Sequence, residues 1–154
     1  MKYVLIILLA ILVAGCTNMP AVKTGDHVAV HYTGTLDNGT KFDSSLDREP
    51  LEFDVGAGQM IKGFDSAVIG MRVGEEKTVR IAAKDAYGEA DLTNVIEVPK
   101  EKVPAGTKGG DTLSAGGRSV KVIKVTNSTV TIDTNHPLAG KALTFMIKLV
   151  KIGK

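Results

Sequence analysis

Residues 31–45 read HYTGTLDNGTKFDSS, and this stretch decides the fold. An alternating strand runs into Asp37-Asn38-Gly39, residue types that supply the positive φ values of a tight turn, and residues 41–45 return. The return arm sets Phe42 beside Asp43 in otherwise polar company. Pairing an aromatic with an acid on so short an arm needs a reason from the rest of the chain.

Upstream, residues 26–33 place Val28, Val30 and Tyr32 on one face and His27, Ala29 and His31 on the other, a half-buried strand. Downstream, residues 51–55 form a short strand closed by Gly56-Ala57-Gly58. Residues 62–69 carry Phe64, Ala67 and Val68 at helical spacing, with Gly70 as a C-terminal stop. A strand over 76–82 leads into the turn Asp85-Ala86-Tyr87-Gly88. Residues 142–152 alternate Leu143, Phe145, Ile147 and Leu149 against Thr144, Met146, Lys148 and Val150, which predicts a long central strand. Residues 94–134 differ in character: they contain β-like runs at 95–98, 119–125 and 129–133 and no aromatic residue. The composition shift predicts a small all-β insertion, with hinges near 89–93 and 135–141.

The chain has 154 residues, room for one domain with a small insertion. Aromatic content of 5% without Trp leaves the core to Val, Ile and Leu, and 17 glycines suit a turn-rich β protein. A net charge of +2 and the absence of a basic stripe argue against a nucleic-acid partner. His27, His31 and His136 are not clustered at ligand spacing, so no metal is expected. Gly56-Ala57-Gly58 followed by Gly63 lacks the spacing of a dinucleotide or phosphate loop, and no cofactor is expected. No Ser or Cys stands beside a His as a hydrolase nucleophile would.

The first sixteen residues, MKYVLIILLAILVAGC, place Lys2 before an apolar run through Val13 and small residues before Cys16. That is the layout of a secretory signal peptide. Val13-Ala14-Gly15-Cys16 resembles a lipobox, in which the Cys thiol becomes a diacylglyceryl thioether. Two acyl chains anchor stably where one does not. The alternative is an unlipidated signal peptide, or an uncleaved anchor, that ends in Cys. Cys16 is the only Cys, so no disulfide supports the domain. The expected organisation is a leader over 1–15 and a tether over 16–24. An isomerase domain would follow over 25–93 and 135–154, with an insert over 94–134. The expected location is the outer face of a membrane, held by lipid at Cys16.

The ordered motifs resemble one family. His31-Tyr32-Thr33-Gly34, Lys41-Phe42-Asp43-Ser44-Ser45, Val55-Gly56, Met60-Ile61-Lys62-Gly63-Phe64, Val73-Gly74-Glu75 and Asp85-Ala86-Tyr87-Gly88 are similar, in order and spacing, to FKBP-type peptidyl-prolyl cis/trans isomerases. The resemblance covers about 25–91 and 141–152. The insertion, with Val98-Pro99-Lys100 and the closing Asn135-His136-Pro137-Leu138-Ala139-Gly140, is similar to the SlyD-like branch, which carries an insert-in-flap chaperone domain. The SlyD-like metal-binding tail is missing from this sequence. The resemblance implies an α+β fold: an antiparallel half-barrel sheet wrapped on a short helix, plus a small all-β insert-in-flap domain.

It also implies that Tyr32, Phe42, Phe64, Tyr87 and Phe145 converge on one hollow, with Leu51, Met60 and Ile61 on its wall and Asp43 at its rim. Phe64 would be the floor, Phe42 and Phe145 the walls. The Ile61 N–H and the Tyr87 phenol would donate to substrate carbonyls. Phe64 stands where eukaryotic members carry Trp, and Leu51 where an aromatic is common. The implied substrates are proline-containing unfolded polypeptides, bound by a monomer. The insert's apolar residues, among them Val98, Ile123 and Val125, either hold such chains or form the insert's own core. Two rivals to an isomerase are a module that binds proline segments without turnover and a structural surface lipoprotein.

Overall fold

The structure, a computed structural model, describes residues 19–153. The expected leader, Tyr3 and the lipidation candidate Cys16 lie outside the described residues.

The chain forms an α+β fold with two antiparallel sheets. The larger is five-stranded, built from β1 (His27–Leu36), β2 (Lys41–Ser44), β3 (Leu51–Asp54), β4 (Glu76–Ile81) and β9 (Leu143–Gly153). Its order is β2-β1-β9-β4, and β3 shares with β2 the other edge of β1. β9 lies inside the sheet, as its alternation predicts: Leu143, Ile147 and Leu149 are fully buried and Phe145 nearly so. The helix α1 (Lys62–Val68) buries Phe64, Ala67 and Val68 against this face, and Gly70 at φ 84° turns the chain out of it. Each large side chain buried here contributes roughly 1.5–3 kcal/mol.

The smaller sheet has four strands, β5 (Val95–Pro99), β6 (Thr112–Ala115), β7 (Arg118–Val125) and β8 (Thr129–Asp133), in the order β5-β8-β7-β6. It has a separate core of Val120, Val122, Val130 and Ile132, with Val98, Val103, Leu113 and Val125 packed around it. Strand β6 has no counterpart in the sequence reading. Its signal was the Gly116-Gly117 pair, both at positive φ, a two-residue hairpin joining β6 to β7.

Two expectations need correction. The first turn does not use positive φ at Asn38; Gly39 alone adopts it, at 82°. The Gly39 N–H donates to Leu36 O at 2.8 Å and the Leu36 N–H to Thr40 O at 2.9 Å, a longer hairpin loop with a bulge. The tether over 16–24 is too long. Val22 is only 2% exposed, its N–H donates to Met71 O, and its carbonyl accepts from Gly70. Ala21 bridges Arg72. Residues 21–22 therefore belong to the fold, because a β-branched apolar side chain beside a free backbone edge gains both burial and hydrogen bonds.

Candidate active site

The hairpin of the opening stretch places the site. β1 sits between β2 and β9, with Gly34 opposite Asp43 on one side and Phe145 on the other. A Cβ on Gly34 would lie 2.6 Å from Phe42 Cζ and 3.0 Å from Phe145 Cε1. Glycine here lets two rings from flanking strands meet across the middle strand. They do so edge to face, with centroids 5.7 Å apart.

Phe145 continues the cluster inward. Its ring meets Phe64 at 5.1 Å and Tyr32 at 6.1 Å, and Tyr32 meets Phe64 edge-on at 5.7 Å. Phe53 backs Phe64 from the core at 5.9 Å. Phe64 is 1% exposed and forms the closed bottom of the cluster, whereas Tyr32 and Phe42 are half-buried at its edge. Leu51, Met60, Ile61, Ala86 and Leu138, all partly buried, pack on the same core. Ile61 precedes α1 and its carbonyl accepts from the N–H groups of Phe64 and Asp65. Its own N–H makes no hydrogen bond to another described residue.

Asp43 closes the polar edge. Its carboxylate accepts from the Tyr32 phenol, from Arg48 Nη2 at 2.7 Å and from the Ser44 N–H at 2.8 Å. The phenol hydrogen bond, with those of Ser44 and Arg48, holds the Asp43 carboxyl below the usual carboxylate range. Burial, then the neighbouring carboxylate, push the Tyr32 phenol up. Across the strand pair, Ser45 Oγ accepts from the Tyr32 N–H at 2.9 Å, and Ser44 Oγ donates to Tyr32 O at 3.2 Å. The pairing of Phe42 with Asp43 is thus explained: successive residues of one strand supply a wall and an anchor for Tyr32.

Tyr87 departs from the expected convergence. Its ring is 41% exposed and stacks on the imidazole of His136, centroids 3.9 Å apart and planes within 5°. It makes no ring contact with the other four aromatics. Gly88 at φ 82° turns the chain beside it, and the Gly140 N–H donates to Gly88 O at 2.8 Å, tying this loop to the segment that carries His136. In the sequence His136 is set apart only as a histidine outside any metal-ligand spacing and as part of the Asn135-His136-Pro137 segment, and no contact with Tyr87 is expected from it. Of the insert residues, Val98 and Val125 pack around the insert's own core and Ile123, at a bulge in β7, is 49% exposed. None of the three reaches the aromatic cluster. Among the described residues no group of His, Cys, Asp and Glu is arranged to hold a metal.

The family model of the FKBP-type peptidyl-prolyl cis-trans isomerases matches residues 19–150. The chain belongs to this family. It is 42% identical over 145 residues to a short-type peptidyl-prolyl cis-trans isomerase of Methanocaldococcus jannaschii, covering 83% of this chain and 92% of that one. A probable FKBP-type 16 kDa isomerase of Pseudomonas fluorescens is 33% identical over 131 residues, 81% of this chain and 87% of its own. FK506-binding protein 1A of Neurospora crassa is 49% identical, but over 75 residues, 48% of this chain and 62% of its own. The protein is an FKBP-type peptidyl-prolyl cis-trans isomerase, and its substrates are proline-containing polypeptides.

Proposed function

We propose that this isomerase acts on exported, incompletely folded chains, with the aromatic cluster as catalytic hollow and the smaller sheet as the element that holds substrate. The observation that carries the catalytic assignment is the four-ring cluster of Tyr32, Phe42, Phe64 and Phe145 beside the Ile61 N–H. Rotation about a peptide bond faces a barrier of ~18–20 kcal/mol, and X–Pro bonds isomerise unaided over roughly 10–100 s. The planar imide is polarised and well hydrated; in the twisted transition state that polarisation fades. An apolar hollow removes the water and so disfavours the planar form more than the twisted one. The Ile61 N–H and the Tyr87 phenol hold the flanking carbonyls, so rotation is confined to one bond. The Asp43–Tyr32–Arg48 contacts keep the Tyr32 ring edge-on to Phe64. No bond is made or broken, and ~4 kcal/mol off the barrier gives about a thousandfold.

Two observations favour a SlyD-like assignment for the insert. An alignment covering 83% of the chain cannot avoid the smaller sheet, whereas the fungal relative matches under half. The insert also leaves an apolar cavity of about 250 Å³ lined by Val98, Val103, Pro104, Leu113 and Ile132, and Ile96 and Ile123 face solvent. The lipobox-like Val13–Cys16 supports anchoring, with the tether shortened to about 16–20 by the burial of Val22. The test excises residues 95–133 and compares two substrates. A short X–Pro peptide keeps its turnover, and an unfolded protein loses most of its acceleration; equal loss on both would refute a holding role. For the anchor, Cys16→Ser expressed in a bacterial host should release the protein from the membrane fraction.

A further inference from the structure

Three hollows adjoin where the two sheets meet, and none belongs to the aromatic cluster. One, of about 420 Å³, is lined by Tyr87, Arg118, Asn135 and His136 among others. Two more, of about 530 and 520 Å³, share Asn135 and His136 with it. Asn135 and His136 run through all three hollows of this crease, and hydrogen bonds fix both side chains. Asn135 Oδ1 accepts from the Asp91 N–H and from Asn94 Nδ2, and Asn135 Nδ2 donates to Asp91 O and Asp133 Oδ1. Both chain crossings into the smaller sheet are thereby stapled by one side chain. His136 Nδ1 accepts the Leu138 N–H at 3.1 Å, which fixes the imidazole face-on to Tyr87.

Arg118 is the one Arg or Lys lining the first two hollows, and among the described residues it makes no ion pair; nor do Glu89 in the first or Lys121 and Lys141 in the third. Arg118 stands at the start of β7, directly after the Gly116-Gly117 turn, and lines the same hollow as Tyr87. A guanidinium at the edge of such a cleft is a fork for a carboxylate. Glu89 also lines this hollow and disfavours a second acid close to the Tyr87 wall.

We propose that the crease is a substrate subsite: the polypeptide leaves the aromatic hollow past the Tyr87–His136 stack and runs along it, and Arg118 selects chains with an Asp or Glu a few residues from the proline. This rests on the proposal that the hollow is catalytic. Fixing the chain at two places, proline in the hollow and flank in the crease, is what lets a small site restrain a long substrate. Arg118 is thus a specificity residue that never touches the reacting bond.

The test uses the full chain in detergent and fluorescein-labelled X–Pro peptides. Each carries one Glu, or in its twin one Lys, at positions two to six residues from the proline on either side. Affinity is read by anisotropy and turnover by exchange NMR. At one or more positions Glu peptides bind roughly two- to fivefold tighter than Lys peptides, and the difference fades as salt rises from ~20 mM toward 0.5 M. Arg118→Gln abolishes the preference and Arg118→Glu inverts it, while thermal unfolding stays unchanged because the side chain is exposed. A four-residue peptide, too short to reach the crease, is turned over equally by all three proteins. Absence of any charge preference in the wild type, or its persistence in Arg118→Glu, overturns the subsite. Loss of turnover on the short peptide in the wild type would instead strike at the hollow, and anisotropy would still decide the crease.

Discussion

Gly34→Ala is the substitution that most directly probes how the catalytic cluster is assembled. Gly34 lies in β1 without positive φ, so alanine suits its backbone and removes some unfolded-state entropy, a gain of about 0.4–1 kcal/mol. The added methyl, however, falls 2.6 and 2.9 Å from two Phe42 ring atoms and 3.0 Å from Phe145 Cε1. Phe145 is held by Phe64 and Tyr32 and is 5% exposed, so it cannot yield. Phe42 is half-buried on the edge strand β2 and swings outward. Overpacking of this kind costs roughly 1–3 kcal/mol, so the net loss is about 1–2 kcal/mol, or roughly 2–8 °C in Tm for a domain of this size. Activity suffers more, because the displaced ring opens the hollow to water: kcat/KM falls at least about tenfold, worth ~1.4 kcal/mol of transition-state stabilisation. Gly34→Ala combined with Phe42→Leu recovers most of the stability and little of the activity, since volume is restored and the aromatic wall is not. Thermal melts and exchange NMR on the two variants give the numbers. A Gly34→Ala protein with wild-type activity would refute the reasoning, since it would mean the Phe42–Phe145 contact is irrelevant to catalysis.

Other expectations follow from single contacts. Tyr32→Phe removes the first hydrogen bond that depresses Asp43, so the carboxyl resonance, followed by carbon NMR, titrates at higher pH than in the wild type. A depressed folded-state value contributes stability above the unfolded carboxylate pKa and loses it as pH falls through the folded value. The wild type therefore resists acid further than Tyr32→Phe, and identical acid midpoints would contradict this. A chain beginning at Thr24 loses the buried Val22 and is less stable by about 2 kcal/mol in urea titrations than one beginning at Met19. Gly63→Ala would put a methyl 2.3 Å from Ile81 Cγ2, wedging α1 from β4, and lowers stability by about 1–3 kcal/mol in the same assay.

The larger sheet was legible because its strands carry strong periodic signals: β9 alternates over its whole length, and α1 has apolar spacing with a glycine stop. The Tyr32, Phe42, Phe64 and Phe145 cluster was legible only through the resemblance, since contact between β1, β2, α1 and β9 is a matter of topology that spacing does not encode. Strand β6 was hidden by its four weakly apolar residues, although the Gly116-Gly117 turn marked its end. Val22 was missed because a lone buried residue has no period. The Tyr87–His136 stack joins loops distant in sequence, and nothing local announces it. In the insert, the sequence left Val98 and Val125 open between holding substrate and forming the insert's own core; strand register packs both against that core, with Val98 also lining the insert's cavity.

The central claim is that a water-excluding aromatic hollow does the chemistry. It is tested most directly by exchange NMR of an X–Pro peptide with the wild type and with Phe42→Ala. Phe42 is preferable to Phe145, whose nearly complete burial makes truncation cost about 3–5 kcal/mol and confuses unfolding with inactivity. The account predicts wild-type acceleration of about a thousandfold or more at saturating enzyme, and a drop of at least tenfold in Phe42→Ala with the fold retained by circular dichroism. A folded Phe42→Ala protein with wild-type exchange rates would contradict it.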